Sequence, residues 1–145
     1  MTGITTGTIK WVLRLEGLSV LFAAIYFYKV SDYSWGTFAI YFLVPDLSLL
    51  AYFAGKQTGA ISYNIAHSYV GAVICSAIGF WLSHIALIHA GLIWIAHIGF
   101  DRALGYGLKY SEGFGYTHLG LIGKASSTVS TMVINQEPRG NRSDS

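Results

Sequence analysis

The chain has 145 residues, 53% hydrophobic and only 11% charged, with a mean hydropathy of +0.50 and a formal net charge of +2. Soluble domains carry about 25% charged residues, so this composition lacks the polar surface of a water-exposed globule. The small net charge, with no basic patch among the aromatics, argues against nucleic acid as a partner, and the single cysteine, Cys75, excludes an intrachain disulfide framework.

Residues 1–8 are small and polar. The apolar run from about Ile9 to Val30 follows Lys10 and Arg14, as a signal peptide would follow its basic start. It nevertheless holds Glu16 and lacks a small-x-small cleavage pattern before Lys29, so a retained first span is expected. A second span is expected from about Ser34 to Phe53. Within it Pro45 frees a carbonyl near Tyr41 and can kink the helix. AGKQTG at 54–59 reads as a glycine-bounded loop, followed by a third span from about Ala60 to Leu82, a polar turn at Ser83–His84, and a fourth span from about Ile85 to Leu104. Residues 57–100 contain no Asp, Glu, Lys or Arg, room for two spans of about 20 residues each. GYGLKY at 105–110 reads as a helix stop, with glycine at the end and a lysine on the negative end of the dipole.

The expected fold class is all-α: a four-span transmembrane helical bundle with short loops, one domain over 1–124, and a flexible, disordered tail over 125–145. With four spans, Lys10, Arg14, Lys56, Arg102, Lys109, Lys124, Arg139 and Arg142 share one side and Lys29 stands alone on the other. The excess of positive charge puts both termini in the cytosol, at the ER membrane in a eukaryote or the plasma membrane in a bacterium. Trp11, Tyr26, Tyr28, Tyr33, Trp35, Tyr52 and Tyr110 cluster near span ends, as interfacial belts do. Cys75 reads as packing, and His84 and His89 as structural or interfacial.

Polar groups inside a bilayer are costly and mark function. Each span carries some: Glu16; Asp46 after Pro45; Asn64 and His67; His97 and Asp101. Although successive spans run in opposite directions, all of these fall in the cytosolic half. Ala60, Asn64, His67 and Gly71 share one helical face, as do Trp94, His97, Asp101 and Gly105. The acids and imidazoles are therefore expected to converge in one chamber.

The segments RLEG (14–17), PDLS (45–48), YNIAH (63–67), AHIGFDRALGYGLKY (96–110) and THLG (117–120) resemble the shared motifs of a family of small four-helix integral membrane proteins known as a domain of unknown function. The resemblance covers most of residues 11–123. It implies a four-span membrane protein and no particular reaction. The chain departs from that pattern at Tyr116, where the family has an acidic residue before the threonine, which touches a loop contact on the cytosolic side.

A carboxyl group in apolar surroundings stays protonated and acts as a general acid, while a neutral histidine takes a proton elsewhere. The first functional expectation is therefore a membrane-embedded cyclase or isomerase with no cofactor. It would act on a lipophilic small molecule of terpenoid or polyketide type, cycloaddition included. Its catalytic residues would be Glu16, Asp46, His67, His97 and Asp101, with Tyr63, Asn64, Trp94 and Arg102 binding substrate. The alternative is a metal-dependent membrane hydrolase, since the same acids and histidines make a mixed N/O set for zinc or another divalent ion. A proton-coupled small carrier and a scaffold subunit are further options. The expected partners are the lipophilic substrate and the bilayer, with a homo-oligomer left open.

Overall fold

The computed structural model describes residues 7–111 and 114–122. The expected tail over 125–145 lies outside them. The chain forms α1 (Gly7–Val30), α2 (Trp35–Phe42), a 3₁₀ helix (Val44–Ala54), α3 (Lys56–Ala66), α4 (Tyr69–Trp81), α5 (Ile85–Leu104), and a two-stranded antiparallel hairpin of β1 (Tyr116–Thr117) and β2 (Gly120–Leu121). The fold is mostly helical. Three stretches are long and apolar enough to cross a membrane (Gly7–Val30, Trp35–Ala54 and Ile85–Leu104), or four if the bent pair α3 and α4 counts as one. Their large apolar side chains lie outward, with Phe53, Phe80 and Trp81 at least 80% exposed. Such an outward surface suits lipid and not water.

α5 is the central element, flanked by α1 on one side and α4 on the other. Small residues set both contacts. A Cβ on Gly99 would stand 2.8 Å from the Gly17 carbonyl and the Leu21 nitrogen, and one on Gly17 would run into the Arg102 side chain, so α1 and α5 touch backbone to backbone. Against α4, Gly91 lies on Ser76 and the fully buried Ala72. Cys75 packs here as expected, its sulfur 3.6 Å from the Leu87 carbonyl. α5 keeps its expected bounds and stops at Gly105, which takes φ 94° in the left-handed region while the Tyr106 N–H returns to the Asp101 carbonyl at 2.8 Å.

Four expectations need correction. The second span is not one kinked α-helix. Pro45 has no N–H to continue α2, and from Val44 the chain runs in 3₁₀ geometry for 11 residues. Such runs seldom exceed three or four residues. At about 2.0 Å rise per residue, this one lengthens the α2–3₁₀ stretch to roughly 34 Å, enough for a hydrocarbon core near 30 Å. The stretch 54–59 is not a loop: only Gly55, at φ 129°, separates the 3₁₀ helix from α3. The third span is broken at His67–Ser68 with a 41° bend, because Ser68 is extended and its hydroxyl caps the new helix by accepting from the Val70 N–H. Tyr28, expected in an interfacial belt, is fully buried, its hydroxyl donating to the Ser34 carbonyl at 2.7 Å.

Candidate functional site

The break between α3 and α4 builds the site. It frees the carbonyls of Ala66 and His67, and α5 supplies donors to both: the Trp94 indole N–H to Ala66 and an Arg102 N–H to His67. Two of the four residues expected to bind substrate are thereby committed to backbone. His67 is placed at the end of α3, facing α5, where His97 and Asp101 stand one turn apart. Asp46 joins them from the first turn of the 3₁₀ helix.

Asp46, His67, His97 and Asp101 come together, one ligand atom of each lying within 4.8 Å of all the others. The two Nε2 atoms are 3.1 Å apart. His67 Nε2 is 3.6 Å from Asp46 Oδ1 and 3.4 Å from Asp101 Oδ2; His97 Nε2 is 3.6 and 3.8 Å from the same oxygens. Both imidazoles are 2% exposed, whereas the Asp46 side chain keeps 43% of its surface open.

The proton positions follow from the partners. His67 Nδ1 is 3.0 Å from the Tyr63 carbonyl, which only accepts, so Nδ1 carries the hydrogen and Nε2 offers a lone pair to the cluster. Tyr63 stacks on that imidazole at 3.7 Å and donates its hydroxyl to Asp101 Oδ2 at 3.1 Å. His97 Nδ1 is buried without a hydrogen-bond partner among the described residues. His67 Nε2 and the two carboxylates thus present acceptors to the cluster, with Arg102 and Lys109 within electrostatic range of Asp101.

Two imidazoles and two carboxylates form a mixed N/O set of the kind a divalent metal takes. Bonds of about 2.0–2.1 Å to nitrogen and oxygen make a tetrahedron whose edges are about 3.3–3.4 Å. The five edges that involve a histidine run from 3.1 to 3.8 Å, and the sixth, between the two carboxylates, is within 4.8 Å. The second shell fits too: a ligating histidine normally donates its other N–H to a carbonyl, as His67 does to Tyr63.

Glu16 does not join the cluster. Gly17 is the residue of α1 that meets α5, and Glu16, about 100° further round the helix, is exposed. It lines a separate cavity with Tyr69, Arg102 and His118 and has no ion pair among the described residues. Asn64 is committed elsewhere. Its side-chain amide makes two bonds to the Lys109 backbone, at 2.8 and 2.7 Å, and straps the segment after α5 onto α3. Expected as a substrate ligand, it holds the loop instead.

Three residues given no site role in the sequence acquire a place. Ser48 lies in PDLS, two positions beyond Asp46. Its buried hydroxyl has no partner among the described residues and lines an apolar cavity of about 240 Å³ with Pro45, Ala66 and Trp94, each next to or one turn from a cluster residue. Lys109 is 5% exposed, with its ammonium 3.5 Å over the Phe114 ring and donating to the Phe114 carbonyl at 3.1 Å. Burial pulls it down to about 8. It caps no helix dipole, contrary to the expectation from GYGLKY. His118, in THLG, is pulled below its ordinary value by burial first and by the Arg102 charge second. The motif around each residue was the available signal.

Residues 10–122 match the family model described as a domain of unknown function, DUF4260, and the chain belongs to that family. No curated protein and no solved structure matches it.

Proposed function

We propose that this family member is a four-span integral membrane enzyme in which Asp46, His67, His97 and Asp101 hold a divalent transition-metal ion used to hydrolyse a lipophilic substrate. In this reading α3 and α4 form one broken span, and both termini lie in the cytosol, as the arginine and lysine distribution favours. The observation that carries it is the close spacing of four possible ligand atoms drawn from the 3₁₀ helix, the end of α3 and α5.

The ion would polarise a carbonyl or phosphoryl oxygen as a Lewis acid. The chain's own groups do the rest. Tyr63 fixes His67 by its carbonyl and Asp101 by its hydroxyl, so two ligands share one positioning residue. His97 rides on the most buried part of α5. Asp46 is the most open ligand and sits on a 3₁₀ stretch, geometry associated with hinges. Catalytic zinc sites keep three protein ligands and one exchangeable position. Asp46, the most open of the four, would be the one free to take the proton of an attacking water while His67, His97 and Asp101 would hold the ion. The apolar cavity beside Ser48 then receives the substrate from the lipid, with the Ser48 hydroxyl to orient it.

The direct test is elemental analysis of protein purified in neutral detergent without chelators. About one ion per chain is expected, and His67→Ala together with His97→Ala should abolish it. Metal-free protein that also fails to take up zinc, manganese or iron at micromolar concentration sinks the proposal.

A second reading rests on the 3.1 Å contact between the two Nε2 atoms, which is also the length of a hydrogen bond. There His97 donates to His67, and Asp46 and Asp101 act as acid and base of a cofactor-independent cyclase or isomerase, without Glu16. Turnover of a lipid substrate that survives chelation and depends on Asp46 would select it.

A further inference from the structure

The cavity of about 650 Å³ between α1, α4, α5 and the hairpin takes no part in the metal chemistry. Its walls are mainly apolar, with Val12, Leu15 and Val20 from α1, and its polar groups are Arg102, Tyr69, His118 and Glu16. A volume of this size is in the range of small-molecule sites.

Arg102 is underpaired. One N–H reaches the His67 carbonyl at 3.3 Å, and no carboxylate lies within 4.0 Å of its guanidinium among the described residues. Another nitrogen stands 3.3 Å from His118 Nε2. However, His118 Nδ1 accepts from the Leu108 N–H at 2.9 Å, so the ring proton is on Nε2. The His118 ring therefore offers Arg102 no acceptor, and an anion on this cavity wall would serve the guanidinium. The Tyr69 hydroxyl, shielded from solvent and within electrostatic range of Arg102, is without a hydrogen-bond partner among the described residues. Glu16 is exposed and opens on the same cavity, where its charge disfavours a doubly charged head group.

We propose that this cavity binds a long-chain carboxylate, the head group on the Arg102 fork and the Tyr69 hydroxyl and the hydrocarbon chain along α1. The planar guanidinium matches a carboxylate with two parallel hydrogen bonds, and a single negative charge satisfies the donors without strong repulsion from Glu16. The site is independent of the metal reading.

The test uses the full chain in a maltoside detergent with a fluorescent fatty acid as probe. Oleate, methyl oleate, oleyl phosphate and acetate serve as competitors. Oleate should displace the probe at least on the order of tenfold better than the methyl ester, and better than oleyl phosphate. Acetate should fail. Arg102→Gln should weaken oleate by on the order of tenfold or more and Tyr69→Phe by about fivefold, as charged and neutral hydrogen bonds do. Because Arg102 also holds the His67 carbonyl, Ser19→Trp is the second probe. Ser19 bonds only its own helix, and its enlargement should block binding by filling the cavity. Equal competition by oleate and its methyl ester, displacement by acetate, or unchanged binding in Arg102→Gln and Ser19→Trp would each overturn the proposal.

Discussion

Asp101 and Arg102 are neighbours in sequence, yet they face opposite chemical surroundings. On the Asp101 side, two carboxylates and two imidazoles from three elements converge, and the carboxylates and His67 Nε2 are acceptors. On the Arg102 side, a guanidinium, an imidazole N–H and a phenol line a mainly apolar cavity, and they are donors. The roughly 100° step between successive helical residues makes one helix a divider between the site proposed for a cation and the site proposed for an anion. Polar groups buried in lipid must be satisfied. Under the two proposals each half is completed by something of opposite sign, and the two should be separable.

The strongest way to break the contrast is to remove a ligand. His97→Ala should lower metal affinity by more than the 10–100-fold typical of outer-shell partners, read by competition with a chelating dye, while fatty-acid binding is retained. Loss of both together would show that the halves are not separable. Next in size is Gly99→Leu, which forces α1 from α5 where a Cβ already meets backbone at 2.8 Å. Overpacking should cost about 1–3 kcal/mol in detergent unfolding and damage both halves at once. Tyr63→Phe sharpens the contrast. It keeps the ring and the carbonyl but removes the bond to Asp101, so metal affinity should fall about tenfold with the anion site unaltered.

The smallest effect concerns the strapped loop. Lys109 is pulled down to about 8 by burial from an ordinary value of 10.5. Between those values the unfolded chain still holds the proton that the folded chain has released. Stability contributed here therefore rises with pH from about 8 to 10.5, the reverse of a cation that gains a carboxylate partner. Melting temperatures taken across that window should climb in the wild type relative to Lys109→Met. Identical slopes would show that the contacts with Phe114 already compensate the charge.

Much of this arrangement was legible in the sequence, and what escaped has physical causes. α5 could be bounded because an apolar run ends in a glycine stop. Asp46, His67, His97 and Asp101 could be assembled because all lie at one depth. Glu16 lies at that depth too, but depth does not fix azimuth, and Gly17 took the contact face. The break at His67–Ser68 was hidden because the run stays apolar through it, although Ser68 before a new helix was a capping signal. The 3₁₀ stretch has no hydrophobic period that sets it apart from an α-helix with a proline. The hairpin strands are two residues each, too short for alternation to register.

The break between α3 and α4 has one more effect. The Ala66 and His67 carbonyls are served by two side chains two turns apart on a single rod, so sliding α5 along its axis by one residue, about 1.5 Å, would strand both in oil. The bend is in that sense a ratchet tooth: it indexes α5 to one position. Any rearrangement that opens the chamber must hinge around that fixed point rather than glide past it.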